Sequence, residues 1–115
     1  VLYPSAVLAM NLPSLDKYEN LVAPGGTLVV NESMVNRRPE RDDIQVLMVP
    51  ANAIAQELGN ERATNMVMLG ALLANMDILP EGTVERALKT HTAERLQRFL
   101  PANIKALQRG GEYKA

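Results

Sequence analysis

No cysteine occurs in the 115 residues, which excludes disulfides, thiolate metal sites, cysteine-ligated iron–sulfur clusters and a cysteine nucleophile together. A single histidine, His91, leaves no basis for a His-rich zinc site, and a Ser-His-Asp triad would have only that imidazole to use. Tryptophan is absent and aromatic residues make up 3%, so the stacking platforms of single-strand nucleic-acid binders are missing. An excess of positive charge is missing as well. Against 13 Asp and Glu stand 12 Lys and Arg, a formal charge of -1, so no net field attracts a phosphate backbone and no nucleic-acid partner is expected. The longest apolar run, Met66 to Ala74, is about half of the ~20 residues needed to span a bilayer. No membrane partner is expected, and a cytoplasmic location is.

What is present is an ordinary globular composition, 47% hydrophobic and 22% charged, in one domain's length of chain. The first residue is Val1, and Val1-Leu2-Tyr3-Pro4 has neither the basic segment nor the small-residue cleavage pattern of a signal peptide. A fragment or a processed form is the expectation.

Ser5 to Met10 is a short apolar run without polar alternation, which suits a central parallel strand covered on both faces. Asn11-Leu12-Pro13-Ser14 then opens a helix, since proline in a first turn needs no amide proton. Leu15, Tyr18, Leu21 and Val22 recur at helical spacing until Pro24-Gly25-Gly26 stops them. Thr27 to Asn31 is β-rich, and strand, helix and strand with short connections make a right-handed βαβ unit. The charged, proline-containing stretch Asn36 to Asp43 predicts a solvated loop leading to a third strand, Ile44 to Val49.

Beyond Pro50, Ala51, Ile54, Ala55 and Leu58 form one helical stripe that ends at Gly59-Asn60. Arg62 to Met76 is apolar almost all round, which calls for neighbours on most sides, with Asn65 buried among them. Gly70 in its middle costs ~1 kcal/mol against alanine, a cost that makes sense where another backbone packs closely. Leu79-Pro80-Glu81 restarts a helix with Val84, Ala87, Leu88 and His91 along one inner face. Thr92 is placed to cap a last helix carrying Leu96, Phe99, Leu100, Ile104 and Leu107, kinked or restarted at Pro101 and ended by Gly110-Gly111. No repeat or low-complexity segment occurs. The fold class is therefore α/β, a Rossmann-like three-layer sandwich with a mostly parallel sheet and a helical carboxy-terminal part. Residues 1–115 form a single but incomplete domain, because three strands leave helix faces uncovered; upstream chain or a partner is expected to complete it.

No Gly-x-Gly-x-x-Gly, P-loop or His-Glu-x-x-His occurs, and Gly25-Gly26 precedes a strand, so it reads as a turn and not as a phosphate cradle. Glu40, Asp42 and Asp43 are interleaved with arginines, which favours a solvated loop or a subunit contact over a metal site. His91 reads as structural or solvent-facing. Met10-Asn11 and Asn31-Glu32-Ser33-Met34 lie just past the carboxyl ends of predicted parallel strands, where open α/β sheets place ligands. Met10, Asn11, Ser33 and Met34 are the candidates for ligand or subunit contact, weighed against capping and loop architecture. No catalytic residue and no metal ligand is expected.

A-M-N-L-P-S-L-D-K-Y at 9 to 18, A-P-G-G-T-L-V-V-N at 23 to 31 and above all V-P-A-N-A-I-A-Q-E-L-G-N-E-R-A-T-N-M-V-M-L-G-A at 49 to 71 resemble the gamma subunit, or gamma domain, of 2-oxoacid:ferredoxin oxidoreductases. N-I-K-A-L-Q-R-G-G-E-Y at 103 to 113 resembles the ending of the same family. Members begin with a strand and a Gly-rich G-x-G-G-x-G segment, absent before Val1, so the resemblance implies a carboxy-terminal portion. It also implies part of an enzyme of the pyruvate, 2-oxoglutarate and ketoisovalerate type, which oxidatively decarboxylates a 2-oxoacid to an acyl-CoA and passes electrons to ferredoxin. Thiamine diphosphate and iron–sulfur clusters then belong to alpha, beta and ferredoxin-like subunits. For this chain the resemblance implies a structural and interface component, inactive alone and binding no cofactor by itself, with covering a coenzyme A site as a possible further role. Two other readings stay open: a freestanding α/β ligand-binding module, which would require a phosphate-binding loop, and a homo-oligomeric interaction module built on the helix around Gly70.

Overall fold

The computed structural model describes residues 3–75, 83–91 and 94–113. Strand β1 (Ala6–Ala9) leads through helix α1 (Leu12–Tyr18) and a 3-10 turn to β2 (Thr27–Asn31), and a long strap leads on to β3 (Gln45–Val49). Helices α2 (Ala51–Glu57), α3 (Thr64–Ala74), α4 (Thr83–His91) and α5 (Leu100–Gly110) follow, with 3-10 turns before α3 and α5. Local chemistry sets these bounds. Asn11 caps α1 and Pro13 occupies its first turn, where no amide proton is needed. Pro101 likewise lies in the first turn of α5, so of the kink or restart expected there the restart is what separates α5 from the turn Glu94–Phe99.

All three strands are parallel, in the order β1-β2-β3, with Val7 opposite Leu28 and Val29 opposite Leu47. β2, and not β1 as expected, is therefore the central strand. β1 is half-buried along most of its length and every residue of β2 is buried, because among the described residues β2 alone has a strand on each side. The two-residue period of β2 divides the core. Val29 joins Leu47, Val49, Ile54, Val67, Met68 and Ala106 beneath α2, α3 and α5. Leu28 and Val30 join Ala9, Leu15 and Val22 beneath α1. This is the three-layer α/β arrangement anticipated from the order of elements.

The expected close approach at Gly70 is a contact with α5. A Cβ placed on Gly70 would collide with the carbonyl oxygen of Leu107, and one on Gly110 would collide with the carbonyl oxygen of Val67. Each helix thus lays its backbone against a glycine of the other. Asn75 fastens the end of this pair: its Nδ2 donates to Ala71 O and to Tyr113 O, both at 2.8 Å.

Three expectations on the helices are corrected. Asn65 is exposed, because the flank of α3 that carries it points away from both the sheet and α5. His91 is exposed at the last residue of α4 and does not face inward. Phe99, expected on the inner stripe of the last helix, is 37% exposed because the restart at Pro101 turns it out of register with Leu100 and Leu107. Met76, the 79–81 helix start, the Thr92 cap and the side chains of Val84 and Leu96 lie outside the described residues.

Alanine gains ~1 kcal/mol of helix propensity over glycine, but at Gly70 or Gly110 it meets backbone, which cannot rotate aside, and overpacking costs ~1–3 kcal/mol. Gly70→Ala and Gly110→Ala are each expected to lose about 1–2 kcal/mol net in urea unfolding. Asn65→Leu, on the exposed flank, should stay within about 0.5 kcal/mol of the parent.

Candidate functional site at the carboxyl ends of the strands

The last residue of β2, Asn31, is 1% exposed and ties the three strand ends together. Its Nδ2 donates to Met10 O after β1 at 3.3 Å and to Asn52 Oδ1 at the start of α2 at 2.7 Å. Its Oδ1 accepts from Ser33 N at 3.2 Å. Both donors and the acceptor are thus engaged, which is what a buried amide requires. Ser33 Oγ in turn accepts from Ala53 N at 3.3 Å, capping a helix whose own preceding residue, Pro50, supplies no side-chain cap.

Of the expected contact residues, Met10 and Ser33 are brought together through Asn31. Asn11 is turned to the other layer, where its Oδ1 accepts from Ser14 N at 3.0 Å as the α1 cap. Met34 is 53% exposed beside them. Sequence reasoning misses Asn52; its signal is its place, an amide three residues beyond the end of the third strand. The outer surface so formed carries the Asn52 amide, the Ser33 hydroxyl and the thioethers of Met10 and Met34.

The strap between β2 and β3 borders this surface and is less solvated than its charge suggests. Arg37 binds Asp16 at 2.6 Å and Glu19 at 2.9 Å, and the other Glu19 oxygen accepts from Glu40 N at 2.6 Å. Arg41, 17% exposed, donates to the carbonyl oxygens of Glu19 and Val22 where α1 and its 3-10 turn run out. These arginines close otherwise open carbonyls, the work expected of cations at a helix end. An open cleft of about 470 Å³ lies between strap and sheet, lined by Glu32, Val35, Asn36, Arg37, Arg38 and Met48. Among the described residues no acidic or histidine cluster is arranged to hold a metal ion.

Residues 1–113 match the pyruvate ferredoxin/flavodoxin oxidoreductase family. The chain belongs to this family. Ketoisovalerate oxidoreductase subunit VorA of Methanothermobacter thermautotrophicus is 31% identical over 96% of this chain and 23% of its own length. 2-Oxoglutarate synthase subunit KorC of Methanocaldococcus jannaschii is 30% identical over 76% of this chain and 48% of its own. The crystal structure of a keto/oxoacid ferredoxin oxidoreductase gamma subunit from Geobacter sulfurreducens superposes with a TM-score of 0.80 at 28% identity, over 94% of this chain and 62% of that one. A 2-oxoglutarate:ferredoxin oxidoreductase from Magnetococcus marinus, solved with 2-oxoglutarate, coenzyme A and succinyl-CoA, shares the fold with a TM-score of 0.76 at 23% identity. The resemblance carried by residues 49 to 71 is thereby borne out. This oxidoreductase-family chain spans about a quarter to three fifths of the lengths of these relatives.

Asn31→Leu is expected to cost about 1–3 kcal/mol in urea unfolding, since it strips Met10 O and Asn52 Oδ1 of a donor and Ser33 N of its acceptor. The ion pairs make a second prediction. Hydrogen bonding from Arg41 holds the Asp43 carboxyl below its ordinary 3.8, and hydrogen bonding from Arg109 holds that of Glu57 below its ordinary 4.5. A carboxyl with a depressed folded-state pKa stabilises the fold fully above its unfolded value and stops doing so as pH falls through the folded one. The stability difference between parent and Glu57→Gln should therefore be constant above about pH 5.5 and shrink below the ordinary 4.5. Thermal midpoints across that range check it, and added salt should reduce the effect because both groups are solvent-screened.

Proposed function

We propose that this chain is a noncatalytic portion of the gamma component of a 2-oxoacid:ferredoxin oxidoreductase. The carrying observation is its match to a gamma subunit of that class in both sequence and fold. In the enzyme so composed, a 2-oxoacid is decarboxylated and oxidised to an acyl-CoA while ferredoxin takes the electrons. In this reading thiamine diphosphate and the iron–sulfur clusters belong to alpha, beta and ferredoxin-like subunits of a cytoplasmic enzyme; for the clusters, the support in this chain is that without cysteine it has no thiolates to ligate one.

The strand-end face is assigned the contact with coenzyme A or with the subunit that holds it. Asn31, Ser33 and Asn52 carry amide and hydroxyl groups, which bind and orient but do not exchange protons at neutral pH. That chemistry suits positioning. Coenzyme A, when bound, supplies the thiol that receives the acyl group; the Ser33 hydroxyl, the Asn52 amide and the Met10 and Met34 thioethers are the groups offered to it here.

Anaerobic purification of the tagged protein from its source cells tests the subunit assignment. Co-purifying larger chains with thiamine diphosphate, iron and coenzyme A-dependent oxidation of pyruvate, 2-oxoglutarate or ketoisovalerate is the expected result. A lone chain with neither cofactor overturns it. Within the assembly, Met34→Glu should leave the thermal midpoint unchanged, as a surface substitution does, and raise the KM for coenzyme A or the subunit dissociation constant by about tenfold. If both stay at parental values, the strand-end assignment fails.

A further inference from the structure

Gly59-Asn60 does more than stop α2. Gly59 takes a φ of +73° and donates its N–H to Gln56 O at 3.0 Å, while Asn60 N donates to Ala55 O at 2.9 Å. Asn60 Oδ1 then accepts from Arg62 N at 3.2 Å as the chain enters the 3-10 turn Glu61–Ala63. Three hydrogen bonds thus fix this corner before any partner arrives. Between it and the end of the turn Glu94–Phe99 lies an open groove of about 510 Å³, lined by Gln56, Gly59, Asn60, Glu61, Arg62 and Phe99. α2 begins just past the carboxyl end of β3, and the groove is at its other end, so it is separate from the strand-end face and from the strap cleft.

An exposed phenylalanine by itself signifies little, because apolar atoms form much of any protein surface. The setting of Phe99 is what distinguishes it. It is the chain's one phenylalanine, it lies at the mouth of a preformed concavity, and the Arg98 guanidinium stacks over its ring at 4.8 Å from the centroid. Elsewhere arginines are met by carboxylates: Arg37 by Asp16 and Glu19, Arg41 by Asp43 and Arg109 by Glu57. Arg62 and Arg98 are exposed and form no ion pair among the described residues. Because Arg109 already takes Glu57 at the end of α2, Glu61 is the one carboxylate among the lining residues. Two free guanidiniums against one free carboxylate leave this spot locally positive on a chain whose formal charge is -1.

We propose that this groove docks an acidic loop of another polypeptide, which rests an apolar side chain on Phe99 and pairs its carboxylates with Arg62 and Arg98. A carboxylate matches the forked donors of a guanidinium, and arginine beside an aromatic ring in a concavity is the composition of a protein–protein hot spot. A nucleic acid fits less well: the groove offers a single ring, and the chain as a whole has no positive field to hold a phosphate backbone. The fixed Gly59-Asn60 corner lowers the ordering cost of docking on this side. The inference rests on side chains of this chain and not on any assignment of substrate, coenzyme or strand-end contact.

The assembly isolated anaerobically from source cells is the material for the test. With photoreactive p-benzoylphenylalanine in place of Phe99, cross-linking is expected to join position 99 to a segment of another polypeptide that carries Asp or Glu beside the join. Arg62→Glu together with Arg98→Glu should lower the yield about tenfold while keeping the thermal midpoint, as surface substitutions do. Reversing the mapped carboxylate of the partner to lysine should restore the yield. Raising the salt from about 0.05 to 0.5 M should lower it in the parent, which needs no charge variant. Native Phe99 gives a reading without the photoreactive group: hydroxyl radicals should oxidise it about fivefold faster in the doubly reversed assembly than in the parent, because the water-excluding contact is lost. Parental cross-linking in the reversed variant and at high salt overturns the proposal, as does equal reactivity of Phe99 in the two assemblies. A cross-link to a second copy of this chain, or to a segment without carboxylates, overturns it as well. Co-purifying subunits with no cross-link at position 99 sink this proposal alone, whereas a chain that purifies by itself sinks it together with the subunit assignment.

Discussion

β2 lies between two parallel neighbours and between two helical layers, so none of the five residues from Thr27 to Asn31 is left to water. The rest of the molecule is arranged around that constraint. A strand buried on both faces must be covered on both, and the alternation of Leu28 and Val30 with Val29 hands one face to α1 and the other to α2, α3 and α5. Burial of such side chains, at about 25 cal/mol per Å² of apolar surface, is the main term holding the layers together. The glycine contacts then determine how near the second helical layer can come: α5 reaches α3 only because Gly70 and Gly110 leave room for Leu107 and Val67 backbone.

The same strand carries the constraint into the candidate site. Asn31 ends β2 at full burial, where an amide without partners would cost several kcal/mol and with partners becomes a clamp. It reaches the end of β1 through Met10 and the start of α2 through Asn52, while Ser33 turns back to cap α2. One side chain therefore holds three chain segments in register at the end of the sheet where ligands bind in open α/β folds.

The strap shows charge used for closure. Arg41 and Arg37 do not simply keep the loop wet; they bind the carbonyls and carboxylates at the far end of the α1 segment. Acidic partners match the basic residues of this stretch in a chain with no net positive charge: Arg37 pairs with Asp16 and Glu19 and Arg41 with Asp43, while Arg38 lines the cleft together with Glu32.

Periodicity and punctuation in the amino-acid sequence determined the elements. An uninterrupted apolar run, a helical stripe, Pro13 and Pro101 at helix starts and the costly Gly70 each act over a few residues, so strand, helix and close approach were legible without any long-range knowledge. The gamma-type motif from Val49 to Ala71 was legible in another way, through its resemblance to a known family as an ordered run of specific residues. Tertiary structure alone decided which strand is central, because rank in a sheet depends on partners tens of residues away. It decided that Asn65 faces outward, since an all-apolar helix has no stripe to reveal which flank its neighbours leave open. It also chose Asn31 and Asn52 from the many asparagines, paired Arg37 with Asp16 and Glu19, and laid Arg41 on the carbonyls of Glu19 and Val22, because hydrogen bonds across about 20 positions of chain follow from packing and leave no local periodic trace.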